Sequence, residues 1–147
     1  MTFKQLSYQS ANRIATITLN QPESLNSFTT QMLLELRDAF SEAEIDNDVG
    51  VIVLTGAGRG FCAGQNLKER ERSADQSKYD LGQSLRERYV PIVTAIRSST
   101  KPVIGAINGI AAGAGANVAL AFAIRLFNPL DAADPPPRCR PGGRPTP

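Results

Sequence analysis

Val51-Ile52-Val53-Leu54-Thr55-Gly56-Ala57-Gly58-Arg59-Gly60 runs from a short apolar stretch into a glycine-rich turn. Val103-Ile104-Gly105-Ala106-Ile107 repeats the arrangement later in the chain, and leads into the small-residue stretch Gly109-Ile110-Ala111-Ala112-Gly113-Ala114-Gly115-Ala116. Unbroken apolar runs of this length suit strands buried on both faces of a sheet. Glycine after such a strand lets the backbone turn sharply and approach a neighbour closely. An apolar helical stretch is expected from Asn117 to Leu126. Strand, glycine turn and helix, met twice, predict an α/β fold with parallel strands.

The flanking segments fit this frame. Residues 6–9 read as a strand and Ser10-Ala11-Asn12-Arg13 as a turn. Residues 14–19 then alternate, with Ala15, Ile17 and Leu19 on one face and Thr16 and Thr18 on the other, so a hairpin is expected. From Thr29 to Glu44 the apolar residues Met32, Leu33, Leu36, Phe40 and Ala43 form one helical stripe, with Thr29 as N-cap. Leu81, Leu85, Tyr89, Ile92 or Val93, and Ile96 repeat at helical spacing, and Pro91 should interrupt that helix. Residues 68–78 are strongly charged, as a loop or an exposed helix. All of the ten prolines except Pro22, Pro91 and Pro102 fall from residue 129 onward, beside Arg138, Arg140 and Arg144. That composition cannot supply a buried core and reads as a disordered tail.

Composition narrows the function. The 147 residues make one domain, and 41% hydrophobic residues support a core. A net charge of +2 gives no basis for nucleic acid or an anionic membrane as partner. No leader and no membrane-length apolar stretch is visible. Cys62 and Cys139 lie in unrelated contexts, so a reducing, cytoplasmic setting is the default. The chain has no histidine. Triad-type nucleophilic catalysis and the commonest zinc ligand are therefore absent, and no metal site is expected. Without a histidine to activate it, Cys62 reads as a small buried side chain.

The glycine turns admit three readings. They can be tight connections alone. They can bind a nucleotide, since Gly113-Ala114-Gly115-Ala116-Asn117-Val118 begins like G-x-G-x-x-G. Val118 breaks that pattern, no acidic residue follows at the expected distance outside the proline-rich end, and neither turn is a P-loop. Or they can pair as an oxyanion hole, because backbone N–H groups at turns and helix starts face developing negative charge.

Three segments together carry a resemblance. Gly58-Arg59-Gly60-Phe61-Cys62-Ala63-Gly64-Gln65-Asn66-Leu67 resembles the segment G-x-x-F-C/S-A-G-x-D-L/I of the crotonase (enoyl-CoA hydratase/isomerase) family. Residues 101–115 resemble K-P-V/T-I-A-A-V/I-N-G-x-A-x-G-G/A-G. Asn20-Gln21-Pro22-Glu23-Ser24-Leu25-Asn26-Ser27 resembles N-R/Q-P-x-x-x-N-S/A. The likeness spans about residues 6–126. Gly-Gln after Phe-Cys-Ala, with Gly-Ala-Gly-Ala-Asn in the second motif, is most similar to the ring-1,2-epoxyphenylacetyl-CoA isomerase subgroup.

The resemblance implies the crotonase spiral of ββα units, truncated after the second motif. Residues 1–126 would form the N-terminal part of such a domain and residues 127–147 a non-family tail. It implies an acyl-CoA substrate, with coenzyme A part of that substrate and no separate cofactor. The backbone amides of Gln65 and Ala114 would hold the thioester oxygen. Leu25, Ala63, Gln65, Asn66, Leu67, Lys68 and Ala114 would line the substrate and CoA path. Lys68, Arg70 and Arg72 are read as solvated surface before phosphate contacts. Asn66 and Asn117 stand where the family has aspartate and, in hydratases, a catalytic glutamate. Asparagine cannot exchange a proton, so the two-glutamate hydratase mechanism is not expected and isomerase chemistry is favoured. Phe122 and Ala123 replace the usual cysteine and aspartate. Neither Glu23 nor Glu69 is expected to be the general base. Family members assemble as trimers or hexamers through later helices. The other reading is an inactive fragment that at most binds CoA thioesters.

Overall fold

The computed structural model describes residues 2–72 and 81–128. Residues 129–147, Cys139 among them, and residues 73–80 of the charged run lie outside the described residues, as do the side chains of Arg70 and Arg72.

The chain opens with a hairpin. β1 (Leu6–Ala11) and β2 (Ile14–Leu19) pair antiparallel, from Leu6 opposite Leu19 to Ala11 opposite Ile14. Asn12 and Arg13 form the connection, with φ of 52° and 66°. Two successive left-handed residues match the twist of the flanking strands. The strand therefore continues past residue 9, where the sequence placed the turn.

α1 (Thr30–Ile45) follows. The Thr29 side chain accepts from the Met32 amide at 3.0 Å and caps the helix. The expected stripe is buried in full. Glu35 is buried too, and ties the helix to the chain start: its carboxylate accepts from the amides of Lys4 and Gln5 and from the Gln31 carboxamide. At the other end, Lys101 Nζ donates to the Ala43 and Asp46 carbonyls, satisfying orphan acceptors of the last turn.

α1 carries the chain to β3 (Val51–Gly56), parallel to β2 with Ile17 opposite Leu54. β4 (Gly60–Cys62), α2 (Leu67–Arg72), α3 (Leu81–Ser84), a wide π-type turn at Leu85–Tyr89 and α4 (Val90–Ser98) come next. Pro91 sits in the first turn of α4, where its missing N–H is harmless, and the wide turn lies just upstream. β5 (Val103–Ile107) runs parallel to β3 with Leu54 opposite Gly105. β6 (Ile110–Ala111), α5 (Ala114–Ala121) and β7 (Ile124–Phe127) complete the described chain.

The main sheet has the order β1-β2-β3-β5-β7, parallel except for the hairpin, and β4 and β6 form a separate parallel pair. The α/β class with parallel strands is as expected. Two further local expectations are corrected. Helix does not run from residue 117 to 126: it spans Ala114–Ala121, and Ile124–Phe127 is a strand against β5. Phe122 takes extended geometry and buries its ring against Gly105, which ends the helix and redirects the chain. The β3 run is also not buried on both faces. Ile52 and Leu54 are fully buried, whereas Val51, Val53 and Thr55 are half-buried, because the described helices cover one face.

Candidate active site

The site begins where the two glycine motifs meet. Gly60 pairs with Ile110 and Cys62 with Ala111, and the Ala112 amide donates to the Cys62 carbonyl at 3.0 Å. Two glycines make this approach possible. A β-carbon on Gly64, whose φ is +102°, would fall 2.9 Å from the Ala112 oxygen and 3.5 Å from the Ala114 nitrogen. One on Gly115 would fall 2.2 Å from the Cys62 oxygen. Real side chains do not tolerate such distances, so the motifs need glycine there to close on each other.

Two asparagines hold the turn between β3 and β4. Asn26 is fully buried. Its carboxamide accepts from the Gln21 amide at 2.9 Å and donates to the Ala57 and Gly60 carbonyls at 2.9 and 2.8 Å. From the other side Asn108 accepts from the Gly56 amide at 3.0 Å and donates to the Gly58 carbonyl at 2.9 Å. Leu25 and Asn26 have φ of 51° and 55°, which bends the first motif back onto this turn. Sequence reading had placed Asn26 and Asn108 in motifs without assigning them work. A polar residue in a loop carries no periodic signal of its partners.

Each expected donor has a defined setting. Phe28 and Gln65 form an isolated parallel bridge: the Phe28 amide donates to the Gly64 carbonyl at 2.7 Å, and the Asn66 amide to the Phe28 carbonyl at 2.9 Å. Because groups alternate along an extended chain, the Gln65 N–H points away from Phe28. Ala114 is the first residue of α5. The Gly115 and Ala116 amides bond the Ala112 carbonyl and the Asn117 amide bonds Gly113, whereas the Ala114 N–H has no acceptor among the described residues.

Beside Ala114 lies a cavity of about 330 Å³, walled by Leu85, Tyr89, Val90, Val93, Thr94, Asn117 and Val118. Leu85, Tyr89 and Val93 of this wall belong to the stripe that the sequence shows at helical spacing. Ile92 and Ile96 do enter the core, but Leu85 and Val90 stay about half exposed and face the cavity. Tyr89 packs edge-on against Phe28, ring centroids 6.1 Å apart. That contact links the cavity wall to the bridge that carries Gln65.

The remaining expected residues do not line this cavity. Leu25 accepts from the Ala63 amide at 2.9 Å, joining the two. Asn66 accepts from the Glu69 amide and donates to Ser27, so it caps α2. Leu67 is 63% exposed. Lys68 borders a separate polar cleft with Gln5, Thr29, Gln31, Asn66 and Glu69. Of the residues expected to touch substrate, Ala114 alone lines the 330 Å³ cavity; Asn117, noted in the sequence only as a departure from the hydratase pattern, lines it too.

The titratable groups near the junction are few. Cys62 is fully buried, and burial pushes its thiol up to about 11, against the smaller opposing effect of the Gly64 and Phe28 backbone. It is thus a protonated packing residue at neutral pH. Glu23 is exposed, and Glu69 accepts from the Thr30 amide. Neither lines the cavity, and no described Asp or Glu does. Among the described residues no His/Cys/Asp/Glu group could hold a metal ion, and no helix is long and apolar enough to cross a membrane.

This arrangement has clear counterparts. The family described as Enoyl-CoA hydratase/isomerase matches residues 9–128, and the chain belongs to it, within the crotonase superfamily. It is 47% identical over 107 residues to the 1,2-epoxyphenylacetyl-CoA isomerase of Escherichia coli, covering 73% of this chain and 41% of that protein. It is 41% identical over 121 residues to a Rhodobacter capsulatus protein named "Probable enoyl-CoA hydratase", covering 82% and 45%. An enoyl-CoA hydratase/isomerase structure from Xanthobacter autotrophicus superposes with a TM-score of 0.77 at 28% identity, covering 86% of this chain and 46% of that one. One from Mycobacterium paratuberculosis gives 0.71 at 35% identity, covering 86% and 48%. The chain thus spans less than half the length of these relatives, and its mixed α/β architecture is the matching part of the crotonase fold.

Proposed function

We propose that this chain binds the thioester of an acyl-CoA and stabilises negative charge on its carbonyl oxygen through the backbone amides of Gln65 and Ala114. The observation that carries the reading is the Ala114 N–H, without an acceptor among the described residues, at the mouth of an apolar cavity and beside the Gly64–Gln65 turn. Forming an enolate, or adding water to a conjugated double bond, moves charge onto the thioester oxygen. A fixed donor there is worth about 2.7–4 kcal/mol in the transition state. Leu25, Ala63, Asn66, Leu67 and Lys68 form the CoA side in this reading. Coenzyme A enters as part of the substrate, in a cytoplasmic protein, with no further cofactor.

Isomerase chemistry is favoured over hydration. Asn117 stands one helical turn beyond Ala114 and cannot act as an acid or base. The Escherichia coli relative is named an isomerase. A second reading is a thioester-binding chain without turnover, and the lack of a described carboxylate in the cavity favours it. A positioned acid or base contributes roughly 10²–10⁴-fold.

The test is calorimetric titration of the purified chain with a non-reactive acyl-CoA, with free CoA and NAD as controls. Saturable binding that prefers the thioester is expected. Preference for NAD, or no binding by folded protein, overturns the proposal. Turnover of an unsaturated acyl-CoA then separates the isomerase from the binder.

A further inference from the structure

We propose that Tyr89 is a positioning residue: it couples what occupies the Ala114 cavity to the placement of the Gln65 backbone amide. This coupling presupposes the acyl-CoA reading of that cavity and assigns the control of one of its two donors.

The two donors meet the cavity in different ways. Ala114 lines it directly, as the first residue of α5. Gln65 is not part of the wall. Its place is set from behind, by Phe28. The Phe28 amide donates to the Gly64 carbonyl at 2.7 Å, and the Asn66 amide donates to the Phe28 carbonyl at 2.9 Å. Residue 28 thus holds the chain on both sides of Gln65, and a shift of Phe28 carries the Gln65 N–H with it.

Phe28 is fully buried, in packing too dense for its ring to move alone. Tyr89 touches both regions. It lines the cavity, as the only aromatic residue of the wall among the described residues, and its ring stands edge-on to Phe28 with the planes at 69°. Ring pairs hold a preferred geometry, so a displacement of one is passed to the other. Cavity, Tyr89, Phe28 and Gln65 form an unbroken chain of packed or hydrogen-bonded groups, the physical route that coupling needs.

The wall is also placed to respond. Tyr89 closes the π-type turn Leu85–Tyr89, a rare backbone form that concentrates at functional sites. Its neighbours Leu85 and Val90 are about half exposed, so few core contacts hold this stretch. An acyl chain seated against Tyr89 supplies the missing contact and fixes the ring. Phe28 and the Gln65 amide follow.

The experiment is amide NMR of the full chain isotope-labelled at glutamine, titrated with acetyl-CoA and with hexanoyl-CoA. The Gln65 signal is assigned by its loss in Gln65→Ala. Both ligands offer the donors the same thioester, so a difference between their saturated Gln65 shifts reports the acyl chain against the wall. Two distinct shifts are expected in the wild-type chain and in Tyr89→Phe, which keeps the ring. In Tyr89→Leu the two should coincide. A merely structural role would lower the melting temperature and leave the difference in place. One common shift in the wild-type chain overturns this inference alone, as does a difference that persists in Tyr89→Leu or is lost in Tyr89→Phe. If Tyr89→Leu does not fold, the wild-type Tyr89 ring signals decide. They should move with Gln65 across the hexanoyl-CoA titration, and a Gln65 response without them overturns the coupling. Binding of neither thioester by folded protein overturns the acyl-CoA reading, and this inference with it.

Discussion

The ring of Phe122 lies so close over Gly105 that a β-carbon on the glycine would fall 2.4 Å from its Cδ2. Phe122 stands at a position where the family usually has cysteine, and Gly105 where its motif has alanine. The larger residue and the smaller one share a single buried space over β5. Gly105→Ala should therefore cost about 1–3 kcal/mol through overpacking. Phe122→Leu beside Gly105→Ala should recover part of that loss. The check is a double-mutant cycle by urea denaturation, and simple additivity would contradict a shared space.

Asn26 should be the most sensitive polar residue of the junction. Asn26→Ala strands the Gln21 amide and the Ala57 carbonyl, leaves the Gly60 carbonyl only its longer bond from Asn108, and places alanine at a φ of 55°. A loss of at least about 2 kcal/mol is expected. Asn108→Ala, at a half-buried site, should cost about 1 kcal/mol. Equal effects in chemical denaturation would argue against this ranking.

Glu35 makes stability depend on acid. Burial alone would raise its pKa, but hydrogen bonds from Gln31 and from the amides of Gln5, Lys4 and Leu6 outweigh it and hold the carboxyl below its ordinary 4.5. A depressed folded pKa contributes stability that is fully present above the ordinary value and is lost as pH falls through the folded one. Glu44 adds in the same sense: burial opposes, and Ser99, Thr100 and Lys101 prevail. Glu35→Gln should flatten the decline of unfolding free energy below the ordinary glutamate range. An unchanged slope would contradict the assignment.

Cys62 should resist thiol reagents until the chain unfolds. Its thiol is buried and raised to about 11. In a Cys139→Ser background at pH 8, labelling should follow global unfolding across a urea series. Fast labelling of the native protein would show the junction to be open.

Ala114→Pro removes one candidate oxyanion donor and little else, since proline is tolerated at the first helical position. If the chain turns over, kcat should fall about 10²–10³-fold with the far-UV dichroism unchanged. A small effect would exclude this amide from the site.

Much of the fold was legible because it is periodic. The alternation at Ala15, Ile17 and Leu19 and the stripe from Met32 to Ala43 mark their elements without reference to distant residues. β4 and β6 were not legible. Three and two residues long, they exist through pairing with each other. Ile124–Phe127 shows the same limit: an apolar run fits helix or strand, and pairing with β5 decides it. At the candidate site, the motif glycines and Ala114 stood out in the sequence, whereas the stretch from Leu85 to Val93 showed only helical spacing, with nothing to mark it as a cavity wall.

The Asn108–Gly58 hydrogen bond closes a loop of 50 residues. Loop closure on that scale draws on chain entropy before the contact returns any energy, so the junction forms late, with the sheet rather than ahead of it. The approach of Gly64 to Ala114, which sets Gln65 beside that amide, is thus expected to belong to the folded chain. A ligand that grips both therefore acts on the folding equilibrium itself, raising the melting temperature in proportion to the logarithm of its concentration above Kd. If the proposed acyl-CoA binding holds, occupancy of the pocket and persistence of the fold are one equilibrium observed from two ends.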